Sequence, residues 1–144
     1  MAGRARHRPR EVRLDSLNRF VLVDRRAIYC PTGDISFDEL VLSVRTAIAR
    51  AIKQHALELL VDTRELTGFP VPGMFQRFLA AVEWADIARG RLNLAMIARE
   101  EMIHPEKIAV TFAASRGLTS NIFTTAAEAR AWLDAVAAGE AGHG

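Results

Sequence analysis

A single cysteine, Cys30, stands in a chain of 144 residues. One cysteine excludes an intrachain disulfide and a cysteine-based zinc site. The four histidines are His7, His55, His104 and His143, and none has a second histidine at ligand spacing, so no metal is expected. Charge interrupts every long apolar stretch, which excludes a membrane-spanning helix. The N-terminus lacks the apolar core of a secretory signal, and the expected location is the cytoplasm. No G-x-G-x-x-G or G-x-x-x-x-G-K-[ST] motif is present, so dinucleotide and P-loop nucleotide binding lose their sequence signals. H-E-x-x-H and G-x-S-x-G are also absent. No cofactor is implied.

Lysine is scarce as well, with Lys53 and Lys107 against 17 arginines. The net charge of +2 is unevenly spread. Residues 1–13 hold Arg4, Arg6, Arg8, Arg10 and Arg13 against Glu11, a local +4 that leaves −2 for the rest. Residues 1–17 therefore read as a basic, flexible arm. No aromatic residue is interleaved with these arginines, so nucleic acid is not the expected partner.

What is present is the patterning of one α/β domain over residues 18–136, followed by a flexible tail at 137–144. Phe20-Val21-Leu22-Val23 and Ala27-Ile28-Tyr29-Cys30 read as two strands with a tight connection. Pro31-Thr32-Gly33-Asp34 reads as a turn. Ser36 and Glu39 form a capping box ahead of a helix whose apolar positions recur at helical spacing from Phe37 to Ile52. Leu57 to Asp62 is a central strand, and residues 63–72 a loop. Gly73 to Arg89 reads as a second helix with Phe75, Phe78, Leu79, Val82 and Ala85 inward and Gly90 as its left-handed cap. Leu92 to Ala98 is a third buried strand. Pro105 opens a helix to Gly117, Asn121 to Phe123 is a short strand, and Thr125 with Glu128 caps a last helix. The order β-β-α-β-α-β-α-β-α implies a mixed, mainly parallel sheet of four or five strands with flanking helices.

In an open α/β sheet, ligands bind beyond the carboxyl ends of the strands. Asp34, Asp62, Arg99 and His104 fall on that edge and are the ligand candidates. A carboxylate and a histidine there are the raw material for an enzyme, although Asp62 can equally bond its own loop backbone. Thr67-Gly68-Phe69-Pro70-Val71-Pro72-Gly73 is the most distinctive loop, stiffened by two prolines ahead of a helix. It is the candidate interaction surface for a protein partner, with Phe69 either displayed or tucked into the core. Phe69, Phe75, Phe78 and Trp84 are candidates to line a cavity.

The element order resembles the STAS domain of anti-sigma-factor antagonists, the SpoIIAA-like fold, in an uncharacterised bacterial branch. The resemblance rests on Leu59-Leu60-Val61-Asp62 followed by Leu66-Thr67-Gly68-Phe69, the Gly33-Asp34-Ile35 turn, and the run from Arg116-Gly117-Leu118 to Phe123-Thr124. It implies a non-catalytic regulatory module that binds a protein partner. It also implies a phosphorylatable Ser or Thr at the start of the second helix. Pro70, Val71 and Pro72 stand there instead, and Thr67 is the nearest hydroxyl. Lipid-binding domains of similar fold, and STAS domains that take nucleotides, imply the alternative of a small-molecule binding module.

Overall fold

The computed structural model describes residues 19–139. The basic arm lies outside the described residues, as do the last five positions of the expected tail. β1 (Phe20–Val23) and β2 (Arg26–Tyr29) form an antiparallel hairpin. Its connection turns at Asp24, which adopts φ 55°, a left-handed conformation that Asp tolerates. β2 then pairs in parallel with β4 (Glu58–Asp62), β4 with β6 (Asn93–Ile97), and β6 with β7 (Ser120–Phe123). The sheet order is β1-β2-β4-β6-β7, so the α/β class and the mainly parallel sheet are as the sequence pattern predicts.

Each parallel crossover steps the same way across the sheet. Right-handed connections therefore carry α1 (Phe37–Lys53), α2 (Met74–Ala88) and α3 (Ile108–Ser115) to one face. Ala27, Tyr29, Leu59, Val61 and Leu94 point into that layer, against Val44, Ile48, Ala81 and Trp84. α4 (Ala126–Ala137) covers the other face, setting Ala129 and Leu133 on Leu60, Ala95 and Ile97. The alternation along β4 and β6 serves both layers, and this is why these strands read as continuous apolar runs.

Ser36 accepts from the Glu39 amide at 3.1 Å while the Glu39 carboxylate accepts from the Ser36 amide at 2.9 Å, completing the predicted capping box. At the other layer, Arg26 donates to Glu58, its register partner on β4, at 2.8 Å. It also reaches Asp134 of α4 at 2.6 Å. Burial opposes the charge on Arg26, but the two carboxylates outweigh it and raise the guanidinium pKa. The trio ties α4 to the sheet.

Three local expectations are corrected. First, the segment expected to be only a turn contains β3 (Gly33–Asp34). This two-residue strand pairs in parallel with β5 (Leu66–Thr67), inside the expected loop. The Ile35 amide extends this pairing by donating to the Thr67 carbonyl at 2.9 Å. Gly68 makes it feasible, because its φ is +107° and a Cβ there would overlap Asp34 Oδ1 and Ile35 O. Second, α2 is rotated from part of the expected face. Ala85 is buried as expected and Phe78 and Val82 are half-buried, but Ala80, Ala81, Trp84 and Ala88 complete the inward face, whereas Phe75 is 72% exposed and Leu79 50% exposed. Small side chains let α2 approach α1 closely, and Trp84 fills the gap, donating from Nε1 to the Val41 carbonyl at 3.1 Å. α2 ends in two left-handed residues, Arg89 (φ 51°) as its cap and Gly90 (φ 70°) after it, so Gly90 has the expected conformation and the left-handed turn begins one residue earlier. Third, Pro105 does not start α3. Lys107 adopts φ 48° and stands immediately before it, so the helix begins at Ile108.

Candidate functional site

The carboxyl ends of β4 and β6 carry Thr63 and Ala98-Arg99. The amide and hydroxyl of Thr63 both donate to the Ile97 carbonyl, at 2.8 and 2.9 Å, which closes the end of the sheet. Beneath this edge, between the sheet, α2 and α3, lies a cavity of about 130 Å³. Its walls are mostly apolar: Leu94, Met96 and Ile122 from the sheet, Trp84 and Ala81 from α2, Ala113 and Val110 from α3, with Phe69 over one end. Phe69 is half-buried and meets Phe37 edge-on at 5.7 Å between ring centroids, so the loop's aromatic is tucked in rather than displayed.

Four basic side chains line the same space: Arg77, Arg99, His104 and Lys107. None of the residues lining it is a carboxylate. Arg77, on the first turn of α2, donates from Nε to the Pro72 carbonyl and from Nη1 to the Met102 carbonyl, both at 3.1 Å. Burial lowers its pKa below the ordinary guanidinium value, yet an arginine stays charged. Among the described residues it has no carboxylate partner. Lys107 is in the same position. Its Nζ donates to Asn121 Oδ1 at 3.0 Å and sits 4.8 Å from the Phe123 ring centroid, and both partners are uncharged. Arg99 is anchored to the Arg64 and Leu66 carbonyls at 2.9 and 3.0 Å and pairs with Glu101 at 3.2 Å. His104 accepts from the Glu106 amide at Nδ1, at 3.0 Å, which puts the neutral ring's proton on Nε2.

The predicted edge residues therefore separate. Arg99 and His104 reach the cavity, and Asp34 and Asp62 do not. Asp34 lies exposed in β3, against Gly68. Asp62 is occupied by its own loop: Arg64 donates to it from the backbone at 3.1 Å, from Nε at 3.0 Å and from Nη2 at 2.8 Å. Burial alone would raise the Asp62 pKa. The Arg64 bonds and charge outweigh it and hold the carboxyl below its ordinary range.

Within the predicted loop, Phe69 and Pro72 line the cavity. Thr67, Gly68, Pro70, Val71 and Gly73 are exposed. Of the four aromatics expected around a cavity, Phe69 and Trp84 line it. Phe75 and Phe78 do not, Phe78 packing on Phe112 at 4.8 Å instead. Arg77, Lys107 and Asn121 were not among the expected site residues. Two signals point to them in the sequence. Arg77 is the only charge between Gly73 and Glu83, and Lys107 is one of two lysines in an arginine-rich chain.

A second, more open cleft lies beyond β7, bounded by Glu100, His104, Thr124 and Glu128. Thr125 holds Glu128, accepting from its amide at 3.2 Å and donating to its carboxylate at 3.1 Å. Among the described residues no three His, Cys, Asp or Glu side chains converge on a metal position, and no helix is long and apolar enough to cross a membrane. The chain matches no protein-family model and no curated protein.

Proposed function

We propose that this protein is a non-catalytic regulatory module that holds a small apolar molecule in the cavity beneath α2 and α3. The observation that carries the reading is the cavity itself: a mostly apolar space of about 130 Å³ under the edge of the sheet where ligands bind in open α/β folds. An apolar cavity of ~150 Å³ accepts benzene, so the size suits one small ring or a short chain. The resemblance to STAS-like domains supports a regulatory role without catalysis, acting in the cytoplasm. The capture of Asp62 by Arg64 supports the same reading, because it removes the best-placed carboxylate from general acid–base work.

The test is a benzene titration of the full chain followed by ¹H–¹⁵N spectra. Saturable shifts at Trp84, Val110 and Ala113 are expected, and they should vanish in Ala113→Leu, where the cavity is filled. Equal responses in the two proteins would refute the reading.

One observation favours a protein partner as a second reading. Val71, Met74, Phe75 and Leu79 form an exposed apolar face where the predicted interaction loop enters α2. A folded Phe75→Asp variant should lose a partner that the wild type captures, and retention of every partner would refute that surface.

A further inference from the structure

We infer that the ligand of this cavity is a small organic acid, an apolar body of about six carbons bearing one carboxylate, with Arg77 and Lys107 binding the acid head. The inference rests on the cavity reading above and adds the chemistry of the head group.

Charge balance is the first argument. Arg77, Arg99 and Lys107 line a mostly apolar space that no carboxylate lines. Arg99 is answered by Glu101. Among the described residues neither Arg77 nor Lys107 has a carboxylate within 4.0 Å, although Lys107 also borders the second cleft, which Glu100 and Glu128 line. A half-buried cation without a counter-ion is costly, and an anionic ligand removes that cost on binding.

Donor geometry is the second argument. A guanidinium has five N–H donors. Two backbone carbonyls take one from Nε and one from Nη1, which fixes the plane of Arg77 while leaving three free for a ligand. Lys107 has three donors and spends one on Asn121. Both cations are thus positioned by neutral partners that do not quench their charge, an arrangement suited to a carboxylate.

Size is the third argument. About 130 Å³ holds roughly one six-membered ring, by comparison with cavities that accept benzene, and two acyl chains of a membrane lipid do not fit.

The experiment compares phenylacetate with its neutral analogue 2-phenylethanol, and with benzene, on the full chain at low salt by calorimetry and NMR. Phenylacetate is expected to bind at least about tenfold more tightly than 2-phenylethanol, as charge-assisted hydrogen bonds to a desolvated cation imply. In Arg77→Met, Lys107→Met and the double variant the ratio of phenylacetate to 2-phenylethanol affinity should fall towards one, a ratio taken within each protein so that any general change in the cavity, read with benzene, cancels. Benzene binding with equal affinities for the acid and the alcohol would overturn the acid inference and leave the cavity reading standing. Absence of binding by all three compounds would overturn both. A preference that survives in the double variant would overturn the assignment to Arg77 and Lys107.

Discussion

Replacing Ala113 by leucine is expected to stabilise the protein, whereas the same replacement at Ala129 is expected to destabilise it. Both alanines are buried in helices packed on the sheet, at 3% and 0% exposure. They differ in what lies beside them, since Ala113 lines the cavity and Ala129 packs on the closed layer beneath α4. A space of about 130 Å³, at ~24 cal/mol per Å³, sets an upper bound of ~3 kcal/mol on what side-chain atoms placed there could recover. Leucine adds three carbons, worth about 2.4 kcal/mol at ~0.8 each, less about 0.5–1 kcal/mol of side-chain entropy. The expected gain is about 1.5 kcal/mol, a rise in Tm of roughly 6 °C for a domain of this size. At Ala129 the same carbons have no room, and overpacking costs about 1–3 kcal/mol. Thermal unfolding by circular dichroism measures both. A fall in Tm for Ala113→Leu as large as that for Ala129→Leu would refute the reasoning, because it would mean that the space beside α3 cannot receive atoms.

Other outcomes follow from the loops and ion pairs. Gly68→Ala should lower stability by about 2 kcal/mol or more in urea unfolding, because it combines a disfavoured φ with overlap against Asp34 and Ile35. An unchanged midpoint would remove the strand pair β3–β5 from the account. Arg26→Met leaves the nearly buried Glu58 without its cation and should cost about 3 kcal/mol, with α4 loosening first by hydrogen exchange. Asp62 has a depressed pKa when folded, so its contribution is present above the unfolded value near 4 and is lost as pH falls through the lower folded value. Stability measured against pH should therefore decline less in this acid window for Asp62→Asn than for the wild type, and identical slopes would contradict the Arg64 pairing.

The element order was legible because strand and helix periods are strong in Glu58–Asp62, Asn93–Ile97 and Phe37–Lys53. The caps at Ser36 and Thr125 were legible because capping is local chemistry. The face of α2 was not. Two stripes on that helix satisfy the same spacing: one bulky, with Phe75 and Leu79, and one small, with Ala81, Ala85 and Ala88. Hydrophobicity favours burying the first, but close approach to α1 selects the second, and that decision belongs to tertiary packing. The same inversion hid Arg77. Trp84 was expected at a cavity and lines it, whereas the rotation of α2 brings Arg77 there and takes Phe75 away. The start of α3 was missed for a different reason. Proline at a helix start is a statistical preference, and the left-handed Lys107 that ends the turn has no sequence signature.

The walls of the cavity are unequal, and that inequality bears on how fast a ligand exchanges. α1 has seventeen residues, a complete capping box and six buried positions. α3 has eight residues, no side-chain cap and one buried position, Ala113. Its amides should open on a shorter timescale than those of α1, since local opening free energy follows burial and end protection. Of these two walls, α3 is the one expected to give way first, and on the proposed reading its fraying offers a ligand one route of exchange. If the proposed ligand binds there, it should slow that fraying in turn, and occupancy should then be readable in the exchange rates of eight residues while those of the five-stranded sheet behind them change little.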